Sequence, residues 1–238
     1  MKKILLACAL APLLLTACGD DEDELLPKVD AGEVAYTQCP DDRHPHAIDL
    51  GLPSGTKWAC CNIGSKKETD YGYYFAWGDP QIKNSFIWST YSHYKVGADH
   101  VPVLANLGED IQGTENDIAK NLWKHSWQMP TLEQIQELRS NCRIEWVKRE
   151  VAEGVSVKGM LLTGRNGATI FLPPTGYKET SADIDYLRDD GSLGYYWTSN
   201  ASPTSNDLAT ALRVSSIYKI EFLDSRRCTG YAIRPVRK

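Results

Sequence analysis

The alternation of apolar and polar positions along this chain predicts mostly β-structure. Residues 48–52 alternate in the manner of a strand, and residues 57–64 predict a second strand after a Pro-Ser-Gly turn. The dipeptide Asn166-Gly167 predicts a tight hairpin with a type I′ turn, because that turn needs positive φ at both central residues. The remaining predicted strands are residues 158–163, 168–172, 195–199, 208–214, 217–223 and 231–236.

Two segments carry the signals of a helix start. Thr114 and Asp117 give a Thr-x-x-Asp cap, and Thr131 and Gln134 give a capping box, in which two side chains satisfy amides of the first turn. The second helix places apolar residues on one face at Ile135, Leu138 and Cys142. The sequence therefore predicts one α+β domain with two helices among mostly antiparallel strands.

The first residues have the order of a signal peptide. Lys2 and Lys3 precede an uncharged apolar run from Ile4 to Leu15, and small residues come just before Cys18. The run is too short to span a bilayer, which takes ~20 apolar residues. The Leu-Thr-Ala-Cys end resembles the lipobox of bacterial lipoproteins, which implies removal of residues 1–17 and lipidation of Cys18. An ordinary cleaved signal peptide is the alternative.

An acidic run follows the predicted lipidation site. Residues 20–24 are all Asp or Glu, and adjacent like charges repel and cannot pack. We therefore expect a flexible tether over residues 18–46 and a folded domain over residues 47–238. The run resembles the acidic export tag of surface lipoproteins in Bacteroidota-type bacteria, which implies an outer-membrane anchor with the domain at the cell surface. A plain flexible spacer is the alternative.

Charge and cysteine content narrow the function classes. The formal charge is −5 for the whole sequence and −7 once Lys2 and Lys3 are removed, and no cluster of basic residues occurs. This balance argues against nucleic acid as a partner. Beyond Cys18 the mature chain has five cysteines, an odd number, in a compartment that permits disulfides.

Five motifs occur in the following order along the chain: Asp49-Leu50-Gly51-Leu52-Pro53-Ser54-Gly55-Thr56-Lys57-Trp58-Ala59, Phe75-Ala76-Trp77-Gly78, Trp127-Gln128-Met129-Pro130-Thr131, Tyr196-Trp197-Thr198-Ser199 and Ile233-Arg234-Pro235-Val236. Together they resemble the Fibrobacter succinogenes major paralogous domain, a family found in lipoproteins of Bacteroidota. The resemblance covers about residues 47–238. It implies a C-type-lectin-like fold of the formylglycine-generating-enzyme branch, but no particular activity. It also implies framework roles for Trp58, Trp77, Trp127, Trp197 and Arg234.

The cysteines raise two questions: whether the protein could be an oxidase, and whether it contains a disulfide. Formylglycine-generating chemistry uses a reactive cysteine pair near the C-terminus, whereas this chain has Cys228 alone in that region. Cys228 follows Arg226 and Arg227, whose charges could lower the pKa of its thiol. A buried or disulfide-bonded Cys228 is the alternative. Cys61 and Cys142 both belong to the family pattern, so a disulfide between them is possible. Adjacent strand residues point to opposite faces, which predicts separate roles for Cys61 and Cys60.

No metal, cofactor or catalytic residue is predicted. His44 and His46, close to Asp41, Asp42 and Asp49, are suitable ligand types, but their spacing matches no closed site. The calcium motifs of C-type lectins are absent from the sequence, as are nucleophile, phosphate-loop and metalloprotease motifs.

Aromatic residues supply the candidate ligand contacts. We expect exposure, and stacking on a ligand, for three residues of a Ser/Asn-rich segment: Trp88, Tyr91 and Tyr94. Four strand-spaced aromatics are expected in the core: Tyr71, Tyr73, Phe75 and Trp77. Two acidic pairs are expected in a solvated loop: Asp183/Asp185 and Asp189/Asp190. The predicted function is a lipid-anchored, non-catalytic envelope protein that binds a glycan or a protein. An enzyme on the same scaffold and a structural envelope component are the alternatives.

Overall fold

The computed structural model describes residues 44–97, 102–124, 126–181 and 184–238. The predicted leader, Cys18 and most of the predicted tether lie outside these ranges. Residues 44–46, assigned to the tether, pack on the domain. The backbone carbonyl of His46 accepts a hydrogen bond from the amide of Cys60 at 3.0 Å. The packed domain therefore includes at least three residues before the predicted start at residue 47.

The described residues contain two α-helices and thirteen strands. The helices are α1 (Ile118–Trp123) and α2 (Leu132–Asn141), and a 3₁₀ turn spans Trp88–Thr90. The strands are β1 (Ala47–Asp49), β2 (Lys57–Ala59), β3 (Tyr94–Val96), β4 (Pro102–Leu104), β5 (Arg143–Ala152), β6 (Val155–Thr163), β7 (Thr169–Leu172), β8 (Tyr177–Ser181), β9 (Ile184–Arg188), β10 (Gly194–Ala201), β11 (Leu208–Ser215), β12 (Lys219–Arg226) and β13 (Val236–Arg237). This is the predicted α+β class, with two helices among mostly antiparallel strands.

The strands form several small antiparallel sheets. Sheet β1-β2-β13 joins the first and last strands of the domain, with Trp58 opposite both Ile48 and Val236. Sheets β5-β6-β7 and β10-β11-β12 are three-stranded meanders, while β3-β4 and β8-β9 are two-stranded hairpins. Because β13 pairs with β2, the start and the end of the domain hold one another.

Large aromatic side chains fill the core between these sheets. All five residues with an expected framework role are buried: Trp58, Trp77, Trp127, Trp197 and Arg234. The indole of Trp77 donates to the carbonyl of Thr198 at 2.9 Å, and that of Trp197 donates to the carbonyl of Phe75 at 2.7 Å. These reciprocal bonds tie the segment before the 3₁₀ turn to β10.

The two helix starts differ in how well the sequence predicted them. At α2 the capping box is confirmed, since the Thr131 hydroxyl accepts from the Gln134 amide at 3.2 Å and the Gln134 side chain accepts from the Thr131 amide at 2.9 Å. At α1 the N-cap is Asp117, and Thr114 lies outside the helix. The buried Asp117 carboxylate also accepts from the amide of Met129, so a contact twelve residues away fixes the helix start.

The hairpin between β6 and β7 forms as predicted, but not with a type I′ turn. Gly167 has a φ of 83°, whereas Asn166 is not in the positive-φ region. The Gly167 amide donates to the carbonyl of Gly164, which gives a type I turn followed by a left-handed glycine. The Asn166 side chain is used elsewhere, because its amide donates to the carbonyl of Asp49 at 2.8 Å.

Several regions depart from the predicted strands, and β3, β4, β5, β8 and β9 were not predicted. The acidic stretch expected to be a loop contains β9, with Asp185 on the strand and Asp189 in the turn that follows; Asp183 lies outside the described residues. Strand β5 was not predicted, because its side chains are half-buried or exposed and carry no clean alternation. The segment 231–236 makes isolated bridges before the short strand β13.

Candidate functional site

The three aromatics predicted to contact a ligand form a cluster on the 3₁₀ turn. The Trp88 ring lies edge-on to Tyr91 at 5.8 Å and stacks on Tyr94 at 6.2 Å. Trp88 and Tyr94 are half-buried, but Tyr91 is 2 % exposed and its hydroxyl donates to the carbonyl of Trp77 at 2.7 Å. The predicted exposure of Tyr91 is therefore wrong, because the turn folds its ring onto the core.

The four aromatics expected in the core divide unevenly. Phe75 and Trp77 are fully buried, whereas Tyr73 is 46 % exposed and Tyr71 is half-buried. The segment is not a regular strand, since its described pairing is the bridge from Phe75 to Tyr231. The burial predicted from the two-residue spacing of these aromatics is therefore confirmed only for the second half of the segment, at Phe75 and Trp77.

The aromatic cluster supports the β3-β4 hairpin. Leu104, the last residue of β4, packs with Trp88 and Tyr94 against the buried residues around Tyr91. The amide of Ala105 then donates to the carbonyl of His93 at 2.9 Å, which fixes where the chain leaves the hairpin. The residues that follow form one wall of a cleft.

This cleft has a volume of about 370 Å³ and lies between the segment after β4 and the loop between β10 and β11. Its size falls within the usual range of small-molecule sites, about 300–1,000 Å³. Most of its lining side chains are amides, hydroxyls or ions. The lining residues are Asn106, Gly108, Glu109, Ala201, Ser202, Pro203, Thr204, Ser205, Asn206 and Arg227.

A single carboxylate holds the loop between β10 and β11 in shape. Asp224 on β12 accepts hydrogen bonds from the hydroxyls of Ser202 at 2.6 Å, Thr204 at 3.2 Å and Thr210 at 3.2 Å. Across the cleft, the side-chain amide of Asn206 reaches the carbonyl of Leu104 at 3.5 Å. The polar wall is therefore preorganised, which lowers the entropy cost of binding a ligand.

A buried guanidinium contributes to the cleft. Arg227 is 1 % exposed and lies over the Trp77 ring at 4.4 Å. It donates to the carbonyl of Leu208 at 3.2 Å and to that of Ala105 at 3.4 Å. Burial lowers the pKa of Arg227, although an arginine stays charged at neutral pH. The cleft therefore has a cationic donor that two long hydrogen bonds hold in place.

The cleft carries no evident catalytic pair. Glu109 and Arg227 are the ionisable side chains among the described lining residues, and no histidine or cysteine is among them. The hydroxyl of Ser202 donates to Asp224, and no described lining residue offers an imidazole that could serve it as a general base. Such a lining suits recognition by hydrogen bonds rather than covalent chemistry.

Cys228 is not the activated thiol that its neighbours in the sequence suggest. It is 6 % exposed and packs among Tyr74, Phe86 and Tyr91. Burial raises the pKa of Cys228 to about 11, and the charge of Arg226 opposes that rise without cancelling it. The structure therefore agrees with the alternative of a buried Cys228, and Arg227 faces Trp77 and the cleft rather than this thiol.

The possible Cys61–Cys142 disulfide is not present. Both residues are buried and neither is disulfide-bonded. The Cys61 thiol lies 3.7 Å from that of Cys60 and donates to the carbonyl of Ser65 at 3.3 Å. Cys142 lies at the C-terminal cap of α2. Burial raises the pKa of Cys142 to about 12, so it is a protonated core residue.

The structure brings together two histidines and two cysteines for which the sequence predicted no common site. The Nδ1 atom of His44 lies 3.3 Å from Sγ of Cys60 and 4.0 Å from Sγ of Cys61, and Nδ1 of His46 lies 3.8 Å from Sγ of Cys60. We call these four residues the His/Cys cluster. The prediction of opposite faces for Cys60 and Cys61 is wrong, because β2 ends at Ala59 and the next residues form a bend. The overlooked signal is a His-x-His pair fourteen residues before a Cys-Cys pair.

No family model, no curated protein and no solved structure matches this chain. Among the described residues, no helix has the length and apolar character needed to cross a bilayer.

Proposed function

We propose that this chain is a lipid-anchored envelope protein whose domain binds a glycan at the cell surface without turning it over. The leader, the lipobox ending at Cys18 and the acidic run support an outer-membrane anchor. The motifs across residues 47–238 and the antiparallel α+β architecture support a Fibrobacter succinogenes major paralogous domain of C-type-lectin-like fold. A protein ligand is the second binding candidate.

The observation that carries this proposal is the polar cleft. Its rim offers amide donors and acceptors at Asn106 and Asn206, hydroxyls at Thr204 and Ser205, and the Arg227 guanidinium at its base. Sugar hydroxyls both donate and accept, so a wall with both kinds of group matches them. Such sites reject a ligand that leaves their buried polar groups unpaired. A hydroxyl-rich ligand is therefore favoured over an apolar one.

The aromatic cluster acts mainly as a support in this proposal. Because Tyr91 is buried and Trp88 packs on it, these rings hold the β3-β4 hairpin that leads into the cleft wall. The half-buried faces of Trp88 and Tyr94 are the part of the cluster that a ligand can reach. Their replacement should therefore disturb the cleft through the hairpin as well as through direct contact.

Binding to a glycan array by the detergent-solubilised full chain tests the proposal. A hit should bind the parent and lose at least about tenfold in affinity in Asn206→Ala, since a lost hydrogen bond to a charged or fixed partner costs about 1.5 kcal/mol or more. Ser156→Ala is the matched control, because Ser156 lines a separate hollow at the β5-β6 turn. Equal loss in both variants, or no hit, would count against a glycan site in the cleft.

Turnover separates binding from catalysis. The same glycans, and thiol peptides as oxidase substrates, are incubated with the protein and analysed for product. We expect none, since Cys228 is a buried protonated thiol. Product that disappears in Cys228→Ala would favour the oxidase alternative.

The anchor has an independent test. Cys18→Ala should move the protein from the membrane fraction to the soluble fraction of the expressing cells, because the lipid on Cys18 is the predicted anchor. Cys8→Ala, within the predicted leader, is the control and should leave the distribution unchanged. A Cys18→Ala protein that still pellets with membranes would refute the lipid anchor.

A further inference from the structure

We propose that the His/Cys cluster is a binding site for one zinc ion, with two imidazole and two thiolate ligands: His44, His46, Cys60 and Cys61. The inference does not depend on the proposed glycan site, which lies on other elements. The ligand atoms of His44, His46 and Cys60 all lie within 4.8 Å of one another.

Four of the six ligand–ligand distances in the cluster are close to those of a tetrahedron around zinc. Zinc–sulfur bonds of about 2.3 Å and zinc–nitrogen bonds of about 2.05 Å place two sulfurs about 3.8 Å apart and a sulfur and a nitrogen about 3.6 Å apart. The sulfurs of Cys60 and Cys61 are 3.7 Å apart. The three sulfur–nitrogen distances given above, 3.3, 3.8 and 4.0 Å, lie around the second value. An ion could therefore enter between His44, Cys60 and Cys61 with shifts of a few tenths of an ångström. Cys61 lies outside the group of three ligands that are all within 4.8 Å of one another, so binding by all four residues requires a larger movement of His46 or Cys61.

The donor set selects the kind of metal. Two thiolates and two imidazoles in a tetrahedron are typical of zinc, while calcium and magnesium prefer carboxylate, carbonyl and water oxygens. The nearby carboxylate of Asp49 is engaged elsewhere, since it accepts from the amide of Gly51 at 2.9 Å and lies 3.8 Å from the ammonium of Lys57. The cluster therefore offers zinc a complete set of soft and borderline ligands.

The charges around the cluster favour a cation. Two thiolates side by side repel one another, so they need a positive partner. Zinc supplies two positive charges, which two thiolates neutralise. The guanidinium of Arg234, which donates to the carbonyl of Cys60 at 3.2 Å, adds a positive charge next to the two cysteines. Metal binding should therefore release protons and strengthen with rising pH.

The cluster also has a route to solvent. A hollow of about 290 Å³ opens beside it and is lined by His44, Pro45, Gly64, Ser65, Lys66 and Trp123. The side chains of His44 and His46 are half-buried, and the two thiols lie beneath them. An ion can therefore arrive from the histidine side without opening the core.

Four protein ligands leave no open position, so the site is structural rather than catalytic. It joins the segment 44–46, the end of the predicted tether, to the bend after β2. The backbone bond between His46 and Cys60 already connects these segments. Zinc would therefore clamp the point where the tether leaves the domain, and would resist unfolding from that end.

Cobalt substitution tests the site in the detergent-solubilised full chain, kept reduced and free of oxygen. Co²⁺ alone should bind with one equivalent per chain and give the intense visible bands of a tetrahedral thiolate complex, and Zn²⁺ should displace it. Zn²⁺ should also raise the melting temperature of the parent. Absence of a stoichiometric tetrahedral spectrum would overturn the proposal.

Matched variants locate the ion. His44→Gln and Cys61→Ser should each weaken Co²⁺ binding at least about tenfold, since even the loss of a supporting group costs 10- to 100-fold at metal sites. His93→Gln and Cys142→Ser should keep the parental spectrum, because both residues lie outside the cluster. Circular dichroism checks that each variant is folded, and the half-buried His44 gives a readout if Cys61→Ser fails to fold.

Two further outcomes would refute the site. One is parental Co²⁺ affinity in folded His44→Gln. The other is a disulfide between Cys60 and Cys61 in protein isolated without reductant, which peptide mass spectrometry detects as the loss of two hydrogens from that peptide. Retention of both thiols together with bound zinc in the isolated protein supports the proposal.

Discussion

Two buried arginines, Arg227 and Arg234, lie seven positions apart and are used in different ways. Each is 1 % exposed, and neither is in a salt bridge with a described carboxylate. Arg234 makes four hydrogen bonds of 2.8–3.2 Å to the following acceptors: the side-chain oxygen of Asn62 and the carbonyls of Ala59, Cys60 and Phe171. Arg227 makes two bonds, at 3.2 and 3.4 Å, and lies over Trp77.

The comparison indicates that the role of a buried arginine can be inferred from how many of its donors are hydrogen-bonded within the protein. A buried ion is tolerated when its donors are satisfied, and Arg234 comes close to that condition, because it makes four hydrogen bonds within the protein from its five N–H donors. Its bonds join the end of β2, the bend after it and β7. Arg227 has fewer and longer bonds and lines a cleft. Arg234, with four hydrogen bonds, therefore acts as a framework element, and Arg227, with two, has donors left for a ligand.

The largest effect should come from Arg234→Met. Removing the guanidinium leaves four buried acceptors without their donor, and each unpaired acceptor costs about 1–3 kcal/mol. The sum of at least about 4 kcal/mol is comparable to the whole stability of a domain, about 5–15 kcal/mol. We expect aggregated or unfolded protein by circular dichroism. A folded Arg234→Met protein with a parental urea midpoint would remove the basis of the comparison.

The next effect concerns the ring beneath Arg227. Trp77→Ala should cost about 3–5 kcal/mol, because Trp77 is fully buried and loses both its packing and its bond to Thr198. Trp88→Ala is the matched control at a half-buried position and should cost clearly less. Urea denaturation followed by circular dichroism measures both. Equal costs would mean that the aromatic cluster is as much core as Trp77.

The sequence predicted features that depend on local signals. The capping box of α2 needs two residues three positions apart, and the β6-β7 hairpin needs one Asn-Gly pair between apolar strands. The framework role expected for Arg234 is consistent with its four hydrogen bonds. These features succeed because their determinants lie within a few residues or within one motif.

The missed features depend on partners far along the chain. Tyr91 is buried because its hydroxyl reaches Trp77, fourteen residues earlier. The thiols of Cys60 and Cys61 both lie near His44 because β2 ends at Ala59, directly before them. Arg227 follows Arg226 and looks like one of two solvated charges, yet it turns inward onto an indole. Composition and periodicity carry no information about such tertiary contacts.

A smaller effect on stability concerns Cys228, the buried thiol next to Arg227 in the sequence. The pKa of Cys228 rises from its ordinary value of 9.0 to about 11 in the folded protein. Between these values the unfolded chain has lost the thiol proton and the folded chain keeps it, so stability falls as pH rises. From pH 9 to 10.5 this amounts to about 1.5 kcal/mol.

Cys228→Ala should therefore show a shallower loss of unfolding free energy over that pH range, measured with urea in the presence of reductant. Lost packing shifts the whole curve, so the slope alone is compared. Cys142→Ala should change the slope in the same sense, because burial raises the pKa of Cys142 to about 12. An unchanged slope for Cys228→Ala would mean that this thiol ionises in the native state, which would favour the oxidase alternative.

The smallest change in stability, with the clearest functional consequence, should come from Arg227→Met. The variant loses two long hydrogen bonds and one cation–π contact, and water in the cleft can reach the carbonyls of Ala105 and Leu208. We expect a cost of about 1–2 kcal/mol in urea denaturation, well below that of Arg234→Met. Binding of a glycan identified on the array should nevertheless weaken at least tenfold, because a charged donor at the base of the cleft contributes about 1.5–3 kcal/mol to a ligand hydrogen bond.

Arg213→Met is the matched control: Arg213 pairs with Glu221 on the surface of β11, away from the cleft, and should leave binding unchanged. If Arg227→Met destabilises the protein as much as Arg234→Met does, both arginines belong to the framework, and hydrogen-bond completeness does not distinguish their roles. If stability falls slightly and binding is unaffected, the cleft is not the ligand site.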